Sequence, residues 1–145
     1  MKVKIQTEVG ASVPDIKIGF TEDLFLSLNP PFPPVKLMQF DGCRAGDKVA
    51  LELNFILFKQ LWVSHIIEDY ESDNHWWFID VGIKLPFFLK SWKHIHDVKQ
   101  AGQRAVISDQ ITFSTGWILG DAIMYPFLLL QFLYRKPIYQ KVFSR

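Results

Sequence analysis

The sequence lacks the features that define several large classes of protein. It has a single cysteine, Cys43, so an intrachain disulfide is excluded. Sixteen Lys and Arg residues against fifteen Asp and Glu residues leave a net charge of +1 without a long run of either sign, so no electrostatic footprint for nucleic acid is present. The first residues lack the apolar stretch of a secretory signal. These absences favour a cytoplasmic protein that binds no nucleic acid.

One apolar stretch near the C-terminus raises the question of a membrane span. Between Trp117 and Tyr134 only Asp121 is charged. A span needs roughly 20 predominantly apolar residues, whereas this stretch is slightly shorter, contains Gln131 and has Pro126 near its middle. We therefore predict no membrane span, and expect a helix that is apolar nearly all round because a curved sheet covers it.

The length of the chain fits one domain with one core, and we predict a single domain over residues 1–145. Apolar and polar residues alternate over Lys2–Val9, which predicts a first strand. Apolar residues then recur at helical spacing with an interruption near Gly19, which predicts two short helices. The segment Asn29–Pro34 contains four prolines, which hold the chain extended as a stiff connector.

Turn residues divide the middle of the chain into six further strands. The alternation predicts strands at Val35–Phe40, Lys48–Phe58, Leu61–Tyr70, His75–Leu85, Ser91–Val98 and Arg104–Phe113. Short turns between consecutive strands are typical of an antiparallel meander, and Gly116 precedes the last helix. We predict an α+β fold in which a seven-stranded, curved antiparallel sheet wraps around a long C-terminal helix, with the short helices after the first strand.

Two histidines lie on the predicted inner face of one strand. Because successive side chains of a strand point to opposite sides, Trp92, His94 and His96 point inward together. Lys93 and Asp97 point to solvent. Buried imidazoles need hydrogen-bond partners, so the sequence predicts a polar site in an otherwise apolar wall.

Strand pairing inferred from the turn centres supplies acidic partners for these imidazoles. It places Asp80 opposite His96 and Asp109 opposite His94, and it brings Glu68 to the same face. The side-chain period of a strand is two, so a slip of one residue would move a member to the other face. The predicted cluster comprises Glu68, Asp80, His94, His96 and Asp109.

Several motifs together resemble a known family. Their order along the chain is Phe78-Ile79-Asp80, Pro86-Phe87, Trp92-Lys93-His94-Ile95-His96, the Asp109 strand and Phe132-Leu133-Tyr134-Arg135. This order, over nearly the whole chain, is similar to a bacterial branch of the SRPBCC (START-like, polyketide cyclase/dehydrase-like) superfamily, although the segment Val13–Thr21 departs from it. The resemblance implies a helix-grip fold with a deep, mostly apolar cavity between sheet and helix. The same fold hosts lipid carriers, hormone receptors, cyclases and oxygenase subunits, so it does not identify a ligand.

The residues leave three functions open. The first is binding of a small hydrophobic or amphipathic molecule in the cavity, without turnover. The second is a cyclase, dehydratase or hydrolase that uses His94 and His96 with Asp80 or Asp109 for proton transfer. The third is an interaction module whose cavity is filled by its own side chains. For the first function, the predicted ligand-contacting residues are Trp62, Glu68, Phe78, Asp80, Trp92, His94, His96 and Asp109.

A metal site is the remaining alternative for the histidine strand. His94 and His96, with one of the two aspartates, offer two imidazoles and a carboxylate. His-x-His alone is a weak signal, and carboxylates bonded to imidazoles are more typical of the groups that surround metal ligands. We predict no metal and no cofactor. Cys43 and His75 are predicted at other edges of the sheet, and Arg135 either pairs with a cavity carboxylate or lies in solvent at the helix end.

Overall fold

The computed structural model describes residues 1–144 and confirms the predicted helix-grip fold. All neighbouring strands are antiparallel, in the order β1-β7-β6-β5-β4-β3-β2. The elements are β1 Lys2–Val9, α1 Val13–Gly19, α2 Glu22–Ser27, β2 Val35–Phe40, β3 Lys48–Asn54, β4 Lys59–Glu71, β5 His75–Lys84, β6 Ser91–Ala101, β7 Arg104–Ser114, α3 Ile118–Leu133 and α4 Arg135–Val142.

The two predicted short helices are confirmed, and each begins at a hydroxyl cap. The Ser12 side chain accepts a hydrogen bond from the backbone N–H of Asp15 at 3.3 Å. The Thr21 side chain accepts one from Leu24, also at 3.3 Å. These bonds satisfy backbone donors that have no partner within the first helical turn. The chain therefore turns back over the sheet directly after β1.

The prediction of a continuous strand over Lys48–Phe58 is wrong in its second half. Strand β3 ends at Asn54, and the backbone N–H of Phe55 donates to the carbonyl of Phe58 at 2.9 Å, which closes a tight turn. Ile56 has a φ of 75° in this turn. No glycine or proline marks the position, so the apolar run concealed the turn.

The sheet covers only one side of the C-terminal helix. Leu128 and Phe132 of α3 are buried, whereas Ile118 and Leu130 are exposed. The sheet grips the helix as predicted, but the apolar residues on the helix's outer side remain in solvent. Among residues 1–144 no helix combines the length and apolar character needed to cross a bilayer.

Buried side chains form two clusters along the sheet. One is packed beneath α1 and α4 and includes Trp76 and Tyr139. The other lies beneath α3 and includes Trp92 and Phe132. Helix α4 is fastened to β1 because the carbonyl of Phe143 accepts a hydrogen bond from the N–H of Gly10 at 3.0 Å. The sheet face between the two clusters holds the histidine strand.

Candidate functional site

The predicted histidine–aspartate pairs form, but through a different backbone register. Asp80 lies opposite His94, and Asp109 lies opposite His96, two residues away from the predicted pairing. An even shift keeps every side chain on the same face of the sheet. The side chains then bond diagonally. His96 Nε2 lies 2.9 Å from Asp80 Oδ2, and His94 Nε2 lies 2.8 Å from Asp109 Oδ1.

Each carboxylate also faces the second imidazole. His94 Nδ1 lies 3.7 Å from Asp80 Oδ2, and His96 Nδ1 lies 3.7 Å from Asp109 Oδ1. The two imidazole rings are 3.6 Å apart between centroids, with 32° between their planes. The four side chains therefore form one compact group rather than two separate pairs.

Arg135 completes this group from the helix side. Its Nη1 lies 3.6 Å from Asp109 Oδ1, and its guanidinium carbon lies 4.3 Å from the centre of the Phe132 ring. Of the two predicted roles, pairing with a carboxylate is therefore the one that forms. Tyr139 is buried nearby; burial and the charge of Asp109 raise its pKa above the ordinary value. Its hydroxyl has no hydrogen-bond partner within residues 1–144.

The charges of the group follow from burial and from these contacts. Burial, followed by the neighbouring His94, lowers the pKa of His96 to about 4. Burial raises the pKa of Asp109, but the hydrogen bond from His94 and the charge of Arg135 outweigh it and bring the pKa to about 2. Burial likewise opposes the ionisation of Asp80, but the two imidazoles hold its pKa below the usual value. At neutral pH both carboxylates are ionised and His96 is neutral.

A cavity of about 450 Å³ lies in front of this group, between the sheet and helices α2 and α3. Its own side chains leave this volume open, which argues against a self-filled module. The apolar wall includes Leu24, Val49, Leu51, Leu53, Phe55, Phe127 and Leu128. Polar side chains in the wall include Ser64, Asp80, His94, His96 and Arg135. The cavity is thus apolar with its strongest polar groups gathered in one region.

Six of the eight residues predicted to contact a ligand lie in the cavity wall. They are Trp62, Phe78, Asp80, Trp92, His94 and His96. The prediction for Glu68 is wrong, because a register shift between Ile66 and Glu68 turns that side chain outward, where it is exposed. Asp109 is buried beside His94 but is outside the cavity wall, so only His94 stands between it and the cavity.

Cys43 and Ser64 are among the wall residues that sequence reasoning missed. Cys43 was predicted to stay apart from the cluster, but its loop folds over the cavity and it lines the wall. Burial raises the pKa of its thiol to about 12, so the thiol stays protonated. Ser64 accepts a hydrogen bond from Trp62 Nε1 at 3.1 Å, and its inward position follows from the alternation of β4. His75 does lie apart, as predicted, with its Nε2 2.7 Å from Asp97 Oδ1.

The metal alternative rests on Asp80, His94 and His96, whose ligand atoms lie within 4.8 Å of one another. A metal ion sits about 2.0–2.1 Å from an imidazole nitrogen. The ion would have to lie in the plane of each imidazole ring, and the two rings face each other at 3.6 Å with a tilt of 32° rather than turning their edges toward a common point. His96 and Asp80 are already hydrogen-bonded to each other. The geometry favours a hydrogen-bonded network, and the absence of a metal stays a prediction.

Comparison with known proteins places this geometry in a fold class. No protein-family sequence model matches the chain, and no curated protein sequence matches it. Solved structures do match. The Zhui aromatase/cyclase from a Streptomyces species has a TM-score of 0.66 at 10% identity, covering 94% of this chain and 89% of that chain. A norcoclaurine synthase from Thalictrum flavum, in complex with a transition state analogue, has a TM-score of 0.64 at 15% identity, covering 98% and 93%.

A third structure is the di-domain aromatase/cyclase StfQ from the steffimycin biosynthetic pathway. Its TM-score is 0.71 at 10% identity, and the match covers 98% of this chain and 50% of that chain. At such identities the likeness establishes the fold alone. The chain therefore has the helix-grip fold of these aromatase/cyclase and synthase structures, in agreement with the resemblance to the SRPBCC superfamily. Its place in one bacterial branch of that superfamily stays a prediction.

Proposed function

We propose that this protein belongs to the SRPBCC superfamily and binds one small amphipathic molecule in its cavity, without turnover. The observation that carries the proposal is the open volume of about 450 Å³ with a hydrogen-bonded Asp–His group in its wall. Binding sites for small molecules are typically clefts of roughly 300–1,000 Å³, mainly apolar, with a few converging polar groups. The cavity has this size and composition.

The charges at the wall indicate the chemistry of the ligand's polar end. Asp80 lines the cavity and is ionised, so it accepts hydrogen bonds. We infer a ligand whose polar end is a hydrogen-bond donor, such as a hydroxyl, held near Asp80 and His96. Its apolar part lies against side chains such as Leu51 and Phe127. The synthase structure with a bound transition state analogue supports the capacity of this fold to hold an organic molecule.

The proposal is tested by identifying small molecules that leave the purified protein on denaturation. We expect mass spectrometry to detect an amphipathic molecule from the wild-type protein. Leu51→Trp fills the cavity and removes the molecule. Ile95→Trp adds the same bulk to the opposite face of β6, between the two histidines, and retains it. Wild-type protein that releases no molecule and binds no anilinonaphthalene sulfonate would contradict the proposal.

A second candidate, an enzyme that transfers protons, is favoured by one specific observation. His96 is neutral and lies beside the ionised Asp80 in the cavity wall, and an imidazole oriented by a carboxylate is a common general base. His96→Gln and its control His75→Gln, outside the cavity, separate the two functions. Binding without turnover predicts that the recovered molecule stays unchanged with all three proteins. Conversion by the wild type and by His75→Gln, but not by His96→Gln, would establish the enzyme instead.

A further inference from the structure

One end of the sheet exposes large apolar side chains on three neighbouring connections. In the β3–β4 turn, Ile56 is 81% exposed and Leu57 is 91% exposed. In the β5–β6 turn, Phe87 is 70% exposed. At the start of α3, Ile118 is 87% exposed, and Trp117 just before it is 60% exposed. We call these five residues the apolar end. Asn54 pairs with Lys59, and Ser91 pairs with Ser114, so these connections lie at the same end of the strands. Several large apolar side chains exposed on neighbouring turns favour an interaction site.

The backbone at Ile56 supports a role for its side chain. Its φ of 75° lies in the left-handed region, which β-branched residues rarely adopt. Asparagine and glycine adopt this conformation with less strain and are favoured in such turns. The Asn54 side chain holds the turn by accepting a hydrogen bond from the N–H of Ile56 at 2.9 Å. A strained position occupied by a large apolar residue in solvent points to a contact outside the molecule.

Aromatic rings connect the apolar end with the cavity. Phe87 lies 5.7 Å from Phe58 and 5.4 Å from Phe88, measured between ring centres. Phe88 in turn lies 5.8 Å from Phe55, and both of these rings line the cavity. Phe127 lines the cavity and is also exposed, so it borders the opening. These ring contacts run from the apolar end to the cavity wall.

The charges around the apolar end are mainly positive. Lys59, Lys84 and Lys90 flank the two turns and are exposed. Two carboxylates lie nearby. Glu52 lies 3.6 Å from the Lys59 amine and pairs with it, and Asp121 accepts a hydrogen bond from the neutral backbone N–H of Thr115 at 2.6 Å. Lys84 and Lys90 form no salt bridge among residues 1–144, so the apolar end combines protruding apolar groups with a modest excess of cationic charge.

The opposite end of the sheet carries charges of both signs. Its acidic residues Asp41, Asp47, Asp69, Glu71 and Asp73 are accompanied by Lys17, which pairs with Glu71, and by Arg44, Lys48, Lys99 and Arg104. An anionic surface therefore attracts the lysines of the apolar end more than it attracts this mixed end, which favours one orientation on approach. The protruding side chains lie on separate turns rather than in one groove. A bilayer accommodates such separate projections, whereas a rigid protein partner would need a matching pocket for each.

We propose that the apolar end docks on an anionic lipid bilayer. Its apolar side chains insert into the interface, the lysines lie at the phospholipid headgroups, and the cavity opens toward the membrane. This attachment is peripheral, and it goes beyond the proposed binding function. It holds whether or not the cavity takes its molecule from the bilayer, so the two proposals are tested separately.

The test is flotation of the full chain with vesicles of phosphatidylcholine and phosphatidylglycerol, compared with vesicles of phosphatidylcholine alone. We expect the wild type to bind the anionic vesicles more strongly. Leu57→Ser lowers the partition coefficient by about tenfold or more, the value of burying one leucine side chain. The matched control Ile18→Ser, at an exposed position of α1, leaves it unchanged. Lys84→Gln and Lys90→Gln each lower it by about fivefold on anionic vesicles only.

Other outcomes overturn the proposal. Wild-type protein that does not float with anionic vesicles contradicts it directly. Self-association in sedimentation experiments that Leu57→Ser abolishes, without any vesicle binding, assigns the apolar end to a second copy of the chain instead. Circular dichroism of Leu57→Ser and its uptake of anilinonaphthalene sulfonate show that fold and cavity are intact. Phe87→Ser provides an independent variant if Leu57→Ser fails to fold.

Discussion

The two ends of the sheet contain aromatic groups with similar spacing but different burial. We call the end that α1 and α4 cover the closed end. At the closed end, Phe20 lies 5.0 Å from Trp76 and 6.0 Å from Tyr139 between ring centres, and the last two rings are almost fully buried. At the apolar end, Phe58 lies 5.7 Å from Phe87 with comparable spacing, yet both rings are exposed. Ring spacing alone therefore does not distinguish a core from a contact surface.

The difference lies in what covers each end. Helices α1 and α4 fold over the closed end, and the hydrogen bond from Gly10 to Phe143 fastens the last helix there. At the apolar end the turns are exposed, although α3 begins there and packs on the second buried cluster. We therefore expect the exposed turns to contribute less to stability than the closed end does.

The histidine–aspartate group lies where these regions meet. The His96 ring stacks on Phe78 of the closed-end cluster at 4.1 Å, and the His94 ring meets Phe132 beneath α3 at 5.1 Å. The group is therefore supported on both sides and shares one face with the cavity. Three measurements test this division, in order of decreasing effect.

The largest effect is expected from removing an aromatic ring at the closed end. Trp76→Ala should lower the free energy of unfolding by about 3–5 kcal/mol, because it leaves a large cavity in a packed core. Phe87→Ala at the apolar end should lower it by less than about 1 kcal/mol, because its ring is mostly in solvent. Urea unfolding followed by circular dichroism measures both. Equal losses would show that the apolar end contributes to the core after all.

The next effect concerns the buried carboxylate. Asp109→Asn leaves Arg135 without its charged partner in a buried place, so we expect a loss of roughly 3 kcal/mol in unfolding free energy. The control Asp97→Asn acts on the more exposed pair with His75 and should cost at most about 1 kcal/mol. The same urea titrations compare the two variants. A small loss for Asp109→Asn would mean that the group is not a structural support.

The smallest effect is a change with pH. The pKa of His96 falls from its ordinary value of 6.5 to about 4 on folding, so between these two values the unfolded chain binds the proton more readily. The contribution of neutral His96 to the free energy of unfolding is fully present above pH 6.5. It is lost as the pH falls toward 4, which lowers the free energy of unfolding by on the order of 2–3 kcal/mol.

The matching variant is His96→Gln, which removes the titrating ring. Its melting temperature should depend less on pH between 6.5 and 4 than that of the wild type, whatever its stability at pH 7. Asp109 contributes only at lower pH, because its pKa of about 2 places its loss of stabilisation between about pH 4 and 2. Parallel curves for the two proteins above pH 4 would show that His96 does not titrate as a buried group.

The sequence predicts the meander of six consecutive strands and the inward face well, because short turns and side-chain alternation are local properties. The histidines of β6 and the aspartates of β5 and β7 follow from it, and an even error in register left their face unchanged. Glu68 shows where prediction from side-chain alternation fails. A bulge in β4 has no local signature, and a single extra residue reverses the direction of the side chain.

Features that depend on distant packing could not be predicted in this way. Cys43 reaches the cavity because its loop folds over the sheet, and no spacing in the sequence encodes that path. The turn at Ile56 was hidden by an unbroken apolar run. The exposure of α3 depends on how far the sheet curls around it. The spacing of apolar residues in the sequence does not determine that curvature.

Trp62 and Trp92 have a practical consequence. Both indoles line the cavity, 4.8 Å apart between ring centres and crossed at 86°. A guest of the kind proposed, entering between the sheet and α3, would change the surroundings of both indoles. Their fluorescence would then report occupancy without labelling.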